Sequence, residues 1–270
     1  MYYFRKGNNR TEEEREKLAG KKKDHLGYKH KKPLIDLPLE YFIIDPLHQF
    51  IRISGKLIVL LCDNLKINDG LLDNMIFKKE KHSNMKKFLD FLINECKLKC
   101  CFEGKKGSEI SELLNGLTGP AKEKIFHKID ILMDIFDNLD DGDGHLIIND
   151  VSKIWKSYWK FHKMIREKDK TYEKEEISEI LKTFMDDFLR VYCDADLIPY
   201  IHITCLHFAE QYEIVNGKMC FFTCEGLEKL NDNTTSQFFQ STNKHEQFTK
   251  QILERDQRIL NGLRCIVSEN

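Results

Sequence analysis

Three stretches of this chain hold the residue types that metal or acid–base chemistry needs. Asp45-Pro46-Leu47-His48 is followed by Arg52. Positions i, i+3 and i+7 of a helix share one face, so Asp45, His48 and Arg52 can converge on one site. The plainer assignment is a helix N-cap aspartate beside a surface histidine. His202 and His207 stand in Tyr200-Ile201-His202-Ile203-Thr204-Cys205-Leu206-His207, with Cys205, Cys220 and Cys224 close in sequence. Imidazole is the commonest transition-metal ligand near neutral pH. A separation of five residues is about 140° on an ideal helix, poor geometry for two ligands on one ion. Either His202 occupies a distorted first turn after Pro199 or the pair is not a site. Glu225, Glu228 and Asp232, with Asn231 beside them, again follow i, i+3, i+7. They form an acidic edge suited to a divalent cation with oxygen ligands, or a solvated helix face.

Two further segments bear on binding. Leu139-Asp140-Asp141-Gly142-Asp143-Gly144-His145-Leu146, running on to Asp150, resembles an EF-hand calcium loop. Asp141 and Asp143 would take positions 3 and 5, Gly144 the sharp turn and Asp150 the last ligand. Position 1 is Leu139, which cannot ligate, so a polar loop between helices is the competing assignment. Beyond it, Lys153, Lys156, Lys160 and Lys163 fall on one helix face, while Ile154, Tyr158, Phe161 and Ile165 fall on another, with Trp155 and Trp159 beside them. Such lysines are DNA-contact candidates, and basic with aromatic residues can track a phosphate backbone and stack bases. The simpler assignment is an aromatic core stripe beneath solvated lysines.

The elements that must position these residues are helical. Asp45 is a good N-cap with Pro46 at the favoured first position, which opens a helix whose apolar face includes Phe50, Ile51, Ile58 and Leu61. Further helices are expected over 85–98, 121–138, 149–166, 177–192 and 199–214, with two more starting near residues 224 and 243. Residues 34–44 are apolar, with Pro33 just before them and Pro38 within, so an extended run is expected. No strand pattern and no internal repeat is evident, and the fold class is mainly α. Residues 1–32 read as a basic flexible arm and 33–270 as one helical domain, with a sub-boundary near 194–199.

Composition narrows the function classes. The chain has 270 residues, 41% hydrophobic and 32% charged, which suits a globular protein with a real core and excludes a disordered tail. Its formal net charge is -1, so any attraction to nucleic acid must be local. Basic residues outnumber acidic ones about two to one from Arg5 to Lys32. No apolar run reaches the ~18–20 residues needed to cross a bilayer, and no secretion signal opens the chain. The 9 cysteines are odd in number and irregularly spaced, which points to a reducing compartment, nuclear or cytoplasmic.

Taken in order, the Asp45–His48 segment, a long helical stretch, the histidine pair and the Gly226-Leu227-Glu228 helix are similar to the C-terminal half of Transib transposases and the V(D)J-recombinase catalytic subunit. The tract from Asn216-Gly217 to Glu228-Lys229 and the later Ser241-Thr242-Asn243-Lys244 agree. The likeness covers roughly residues 27–263 and is sharpest over 200–231. It implies a helical bundle corresponding to the insertion and C-terminal part of an RNase H-like core. Glu228 would match the last catalytic acid, a ligand of magnesium or manganese, with Glu225 in support. His202 and His207 would match two zinc-binding histidines, and Asp45 and His48 a pair near the active site. The family reaction is metal-dependent DNA cleavage and strand transfer by a dimer. The family's two other catalytic aspartates and its Cys-x-x-Cys have no counterpart in this sequence. The expectation is therefore a truncated or domesticated member that is inactive alone.

Overall fold

The computed structural model describes residues 43–70, 83–98, 117–136, 148–192 and 196–241, with isolated positions from 250 to 257. The described residues form helices and turns with no strand among them, as the mainly α reading expects. They belong to two compact units, Met1–Phe222 and Thr223–Asn270. The arm at 1–32, most of the extended run at 34–44, and the segment after residue 241 except for a few helical positions lie outside the described residues.

In the first unit α1 spans Pro46–Asn68. Its N-cap is Asp45, whose carboxylate accepts the backbone N–H groups of Leu47 and His48, both at 3.1 Å. The helix buries Phe50, Ile53, Leu57, Leu61 and Leu65, a stripe at the helical repeat. Asp69, just past its end, caps α2 (Ser83–Asp90) by accepting from Asn84 N–H at 3.1 Å and Met85 N–H at 2.8 Å. The helix expected over 85–98 is not regular. A π-helical turn, Phe91–Glu95, follows α2, and Cys96 N–H reaches back to the Phe91 carbonyl at 3.1 Å. The wider turn lets Phe88, Leu89, Phe91, Leu92 and Cys96 all be buried.

The helix expected over 121–138 is also broken, into α3 (Gly119–Phe126) and α4 (Ile129–Ile135). Lys128 leaves helical geometry, and its N–H tightens the last turn of α3 onto the Ile125 carbonyl at 3.0 Å. The break falls where α3 gives way to a helix that lies along α5 (Ile148–Arg166).

Helix α5 is the centre of the unit. Trp155, Tyr158 and Phe161 are fully buried and face different neighbours. Trp155 stacks on Phe126 of α3 at 4.7 Å. Tyr158 meets Phe184 of α6 (Lys174–Val191) at 5.4 Å, and Phe161 meets Phe208 of α7 (Pro199–Ile214) edge-on at 4.9 Å. Aromatic pairs at such separations add to the burial of ~150–250 Å² per ring. A buried bond from Gln49 Nε2 to Thr204 Oγ1, 2.8 Å long, ties α1 to α7. Helix α7 opens at Pro199, as its sequence predicts, and closes in a Schellman turn. Asn216 takes a φ of 52°, and Gly217 N–H bonds the Tyr212 carbonyl at 2.8 Å. Gly217 itself has a φ of 73°, and a Cβ there would lie 2.9 Å from Thr171 Cγ2, so the position requires glycine. Past a short 3₁₀ turn, Met219–Phe221, the second unit contributes α8, Glu225–Ser241.

One cation is enclosed at the α1–α3 contact. Lys122 is only 5% exposed, and its Nζ donates to the Ile51 carbonyl at 2.9 Å beside Gly55. Burial, followed by the charge of Arg52, holds its pKa below the ordinary lysine value of 10.5. The folded chain therefore releases this proton at lower pH than the unfolded chain. Between the lowered folded value and 10.5 the unfolded state holds more protons, so stability rises with pH across that window. We expect Lys122→Met to be more stable than wild type at pH 7 by about 1 kcal/mol. The difference should shrink as pH rises through the window. Urea unfolding at pH 7 and at pH 10 checks both, and a destabilised variant at pH 7 would show the ammonium to be favourable where it lies.

Candidate nucleic-acid interface

The four lysines predicted to share a face do so. Lys153, Lys156, Lys160 and Lys163 are all exposed on α5, while Ile154, Tyr158, Phe161 and Ile165 behind them are buried. Trp155 is fully enclosed and Trp159 is 9% exposed. The lysines therefore stand on a rigid ridge, and the aromatic residues are core. No base can stack on rings that are already packed against protein, so the stacking part of the sequence expectation is corrected. The ridge offers charge alone.

The ridge is not bare. Lys153 Nζ lies 2.9 Å from Asp150, and Lys156 Nζ lies 2.6 Å from Asp130 of α4. Lys163 sits over the Trp159 ring, 5.9 Å from its centroid, and His127 meets the same ring edge-on at 4.9 Å. Lys160 makes no ion pair among the described residues. Sequence reading missed Asp130 and His127, because what matters is contact across about thirty residues of chain and no local spacing marks it. Deeper in, His162 is stacked 4.1 Å from Phe50, with Nε2 4.0 Å from Glu123. The His162 hydrogen bond is the largest influence holding Glu123 below the usual carboxylate range, and Arg166 and His127 add to it.

Asp45 and His48 are brought together, with the His48 imidazole Nδ1 against the Asp45 carboxylate. That carboxylate is also the N-cap of α1, accepting from the Leu47 and His48 backbone N–H groups. Arg52 is exposed two turns on. His202 and His207 are both half-buried, and their rings are 5.6 Å apart. They lean together despite the unfavourable angle between their positions. Two imidazoles at that separation are close enough to serve one ion with ~2.0–2.1 Å bonds. A structural zinc site needs four ligands, and no group of three His, Cys, Asp or Glu gathers among the described residues. Cys205 does not help, since burial pushes its thiol well above its ordinary range and keeps it protonated. Cys100, Cys101 and Cys193 lie outside the described residues. The described donors thus do not complete a zinc centre.

Glu225, Glu228, Asn231 and Asp232 are exposed along the first two turns of α8. Glu225 and Glu228 lie in its first turn, where negative charge suits the helix dipole. Of the calcium-loop residues, Asp141 and Asp143 fall outside the described residues. Asp150 lies in the first turn of α5, where Lys153 and, at 3.1 Å, Arg190 engage its carboxylate. The Lys153 hydrogen bond, with Arg190 adding its charge, holds Asp150 below the usual carboxylate range. An open groove lined by Ile43, Ile214, Val215, Phe221 and Phe222 has Lys218 as its only charged lining residue and no group for catalysis. Among the described residues no helix is long and apolar enough to cross a membrane.

Comparison with protein-family models, with curated proteins and with solved structures found no match for this chain.

The Asp45 geometry makes a direct prediction. Asp45→Ala should cost about 1 kcal/mol through the lost cap, and His48→Ala distinctly less, because the backbone N–H bonds survive it. Chemical denaturation measures both. Equal losses would mean that the imidazole contact, and not the cap, holds this end of α1.

Proposed function

We propose that this chain is a DNA-binding helical protein of transposase or recombinase descent, contributing backbone contacts and not bond cleavage. The observation that carries this reading is the α5 ridge. Four lysines at i, i+3, i+7 and i+10 cover about 15 Å of helix. Every one is exposed, on a helix whose other faces are locked into the core. Lysines so placed present charge to phosphates with little loss of backbone freedom. The ion pairs they now make are exposed, and such pairs are worth ~0–1 kcal/mol, so a phosphate can take their place. With the aromatic rings buried, recognition is by backbone charge and is independent of base sequence.

The resemblance to Transib transposases and the V(D)J recombinase supports a nucleic-acid partner. In this reading the helical bundle corresponds to the insertion of an RNase H-like core, α7 to the tract before its last acid and α8 to the helix that carries it. Glu228 would hold magnesium or manganese, and His202 and His207 would supply half of a zinc centre. A dimer and a nuclear location belong to the same reading. Catalysis does not, because an in-line displacement at two metals needs several carboxylates held together, and Glu228 is matched by none of its family partners.

The test is fluorescence anisotropy with a labelled duplex of about thirty base pairs. Each phosphate contact contributes ~0.9 to the salt slope, so three lysines predict roughly fortyfold weaker binding at about 200 mM than at about 50 mM salt. The triple variant Lys156→Glu, Lys160→Glu, Lys163→Glu should not bind, with its helical circular dichroism intact. Binding that ignores salt, or survives the triple substitution, would remove the reading.

A further inference from the structure

The middle of the α5 ridge already holds an anion. Asp130, in the first turn of α4, places Oδ1 2.6 Å from Lys156 Nζ, and its side chain is 82% exposed. It does not float there. Ile129, Leu132 and Met133 are buried and fix α4 against the rest of the unit. Lys156, Trp159 and Lys163 follow one another at i, i+3 and i+7 on α5. His127 packs edge-on against Trp159, and Lys163 lies over the same ring. The α3–α4 turn therefore sets His127 and Asp130 on the same strip of surface as Lys156 and Lys163.

We infer that this strip is a phosphate-binding site whose resting occupant is the Asp130 carboxylate, displaced when a nucleic-acid phosphate binds. The inference rests on the proposed function and adds its regulation. A carboxylate and a phosphate offer a lysine the same thing, an anionic oxygen at charge-assisted hydrogen-bond distance. Asp130 is tethered, so its effective concentration at Lys156 is high and any phosphate must outcompete it. The pair is solvent-exposed, so the competition is lost by Asp130 at modest cost. Asp150 stands against Lys153 in the same way, but Arg190 also holds it, 3.1 Å away. Asp130 is thus the carboxylate that yields first. Its effect is to set a threshold, letting the ridge bind a dense phosphate array such as a duplex while resisting isolated anions.

The experiment compares duplex binding by the full chain and by Asp130→Asn at about 50 mM salt. The variant should bind some three- to tenfold tighter, because Lys156 then meets a phosphate without first giving up the tethered carboxylate. Asp130→Glu, which keeps the carboxylate, should retain wild-type affinity. Glu210→Gln on α7 makes the same change in net charge away from the ridge and should shift affinity by less than twofold. If Asp130→Asn binds no tighter than Glu210→Gln, the inference is overturned, while salt-dependent wild-type binding leaves the proposed function standing. If wild type fails to bind and Asp130→Asn binds, Asp130 blocks the ridge without yielding, and the inference of a displaceable occupant is overturned. If neither binds, both readings fall.

Discussion

The structure depends on the burial of one aromatic helix face. Helix α5 carries Trp155, Tyr158 and Phe161, fully enclosed and each set against a different partner helix. Large rings bury more area than any other side chains and make geometrically specific contacts. With three neighbouring helices keyed to one rod, the rod cannot rotate without breaking all of them. Removing any of these rings leaves a cavity worth ~3–5 kcal/mol, a large share of the stability a domain has.

That constraint decides what the surface of the same helix does. Because α5 is fixed in azimuth, its lysines are fixed too, and the ridge is a property of the core. The aromatic residues cannot serve core and ligand at once. A mixed basic and aromatic helix is thereby turned into a purely electrostatic surface. The pairs Lys156–Asp130 and Lys153–Asp150 then tune this surface from outside, at distances set by how α4 and the start of α5 are packed.

The same logic separates structural from chemical roles elsewhere. Asp45 is drawn into capping α1, and Gln49 into a buried bond to Thr204, so two polar groups near the predicted Asp45–His48 site hold helices in place. Cys205 is silenced by burial. The acidic edge of α8 is exposed, and among the described residues no three His, Cys, Asp or Glu side chains gather to hold an ion.

The sequence by itself determined the helices whose ends carry strong local chemistry. Asp45-Pro46 opened α1 and Pro199 opened α7 at the positions expected, because caps and proline act within one turn. It also determined the division of α5 into basic and apolar faces, since periodicity is a local property. The tertiary structure alone decided the π turn after α2 and the break between α3 and α4, which fall within runs that hold no proline or glycine to mark a stop. It decided that Lys122 is buried and that His202 and His207 meet. Above all it decided that Asp130 lies against Lys156. Each of these depends on contacts between elements, and such contacts are fixed by how whole helices pack, which no window of sequence contains.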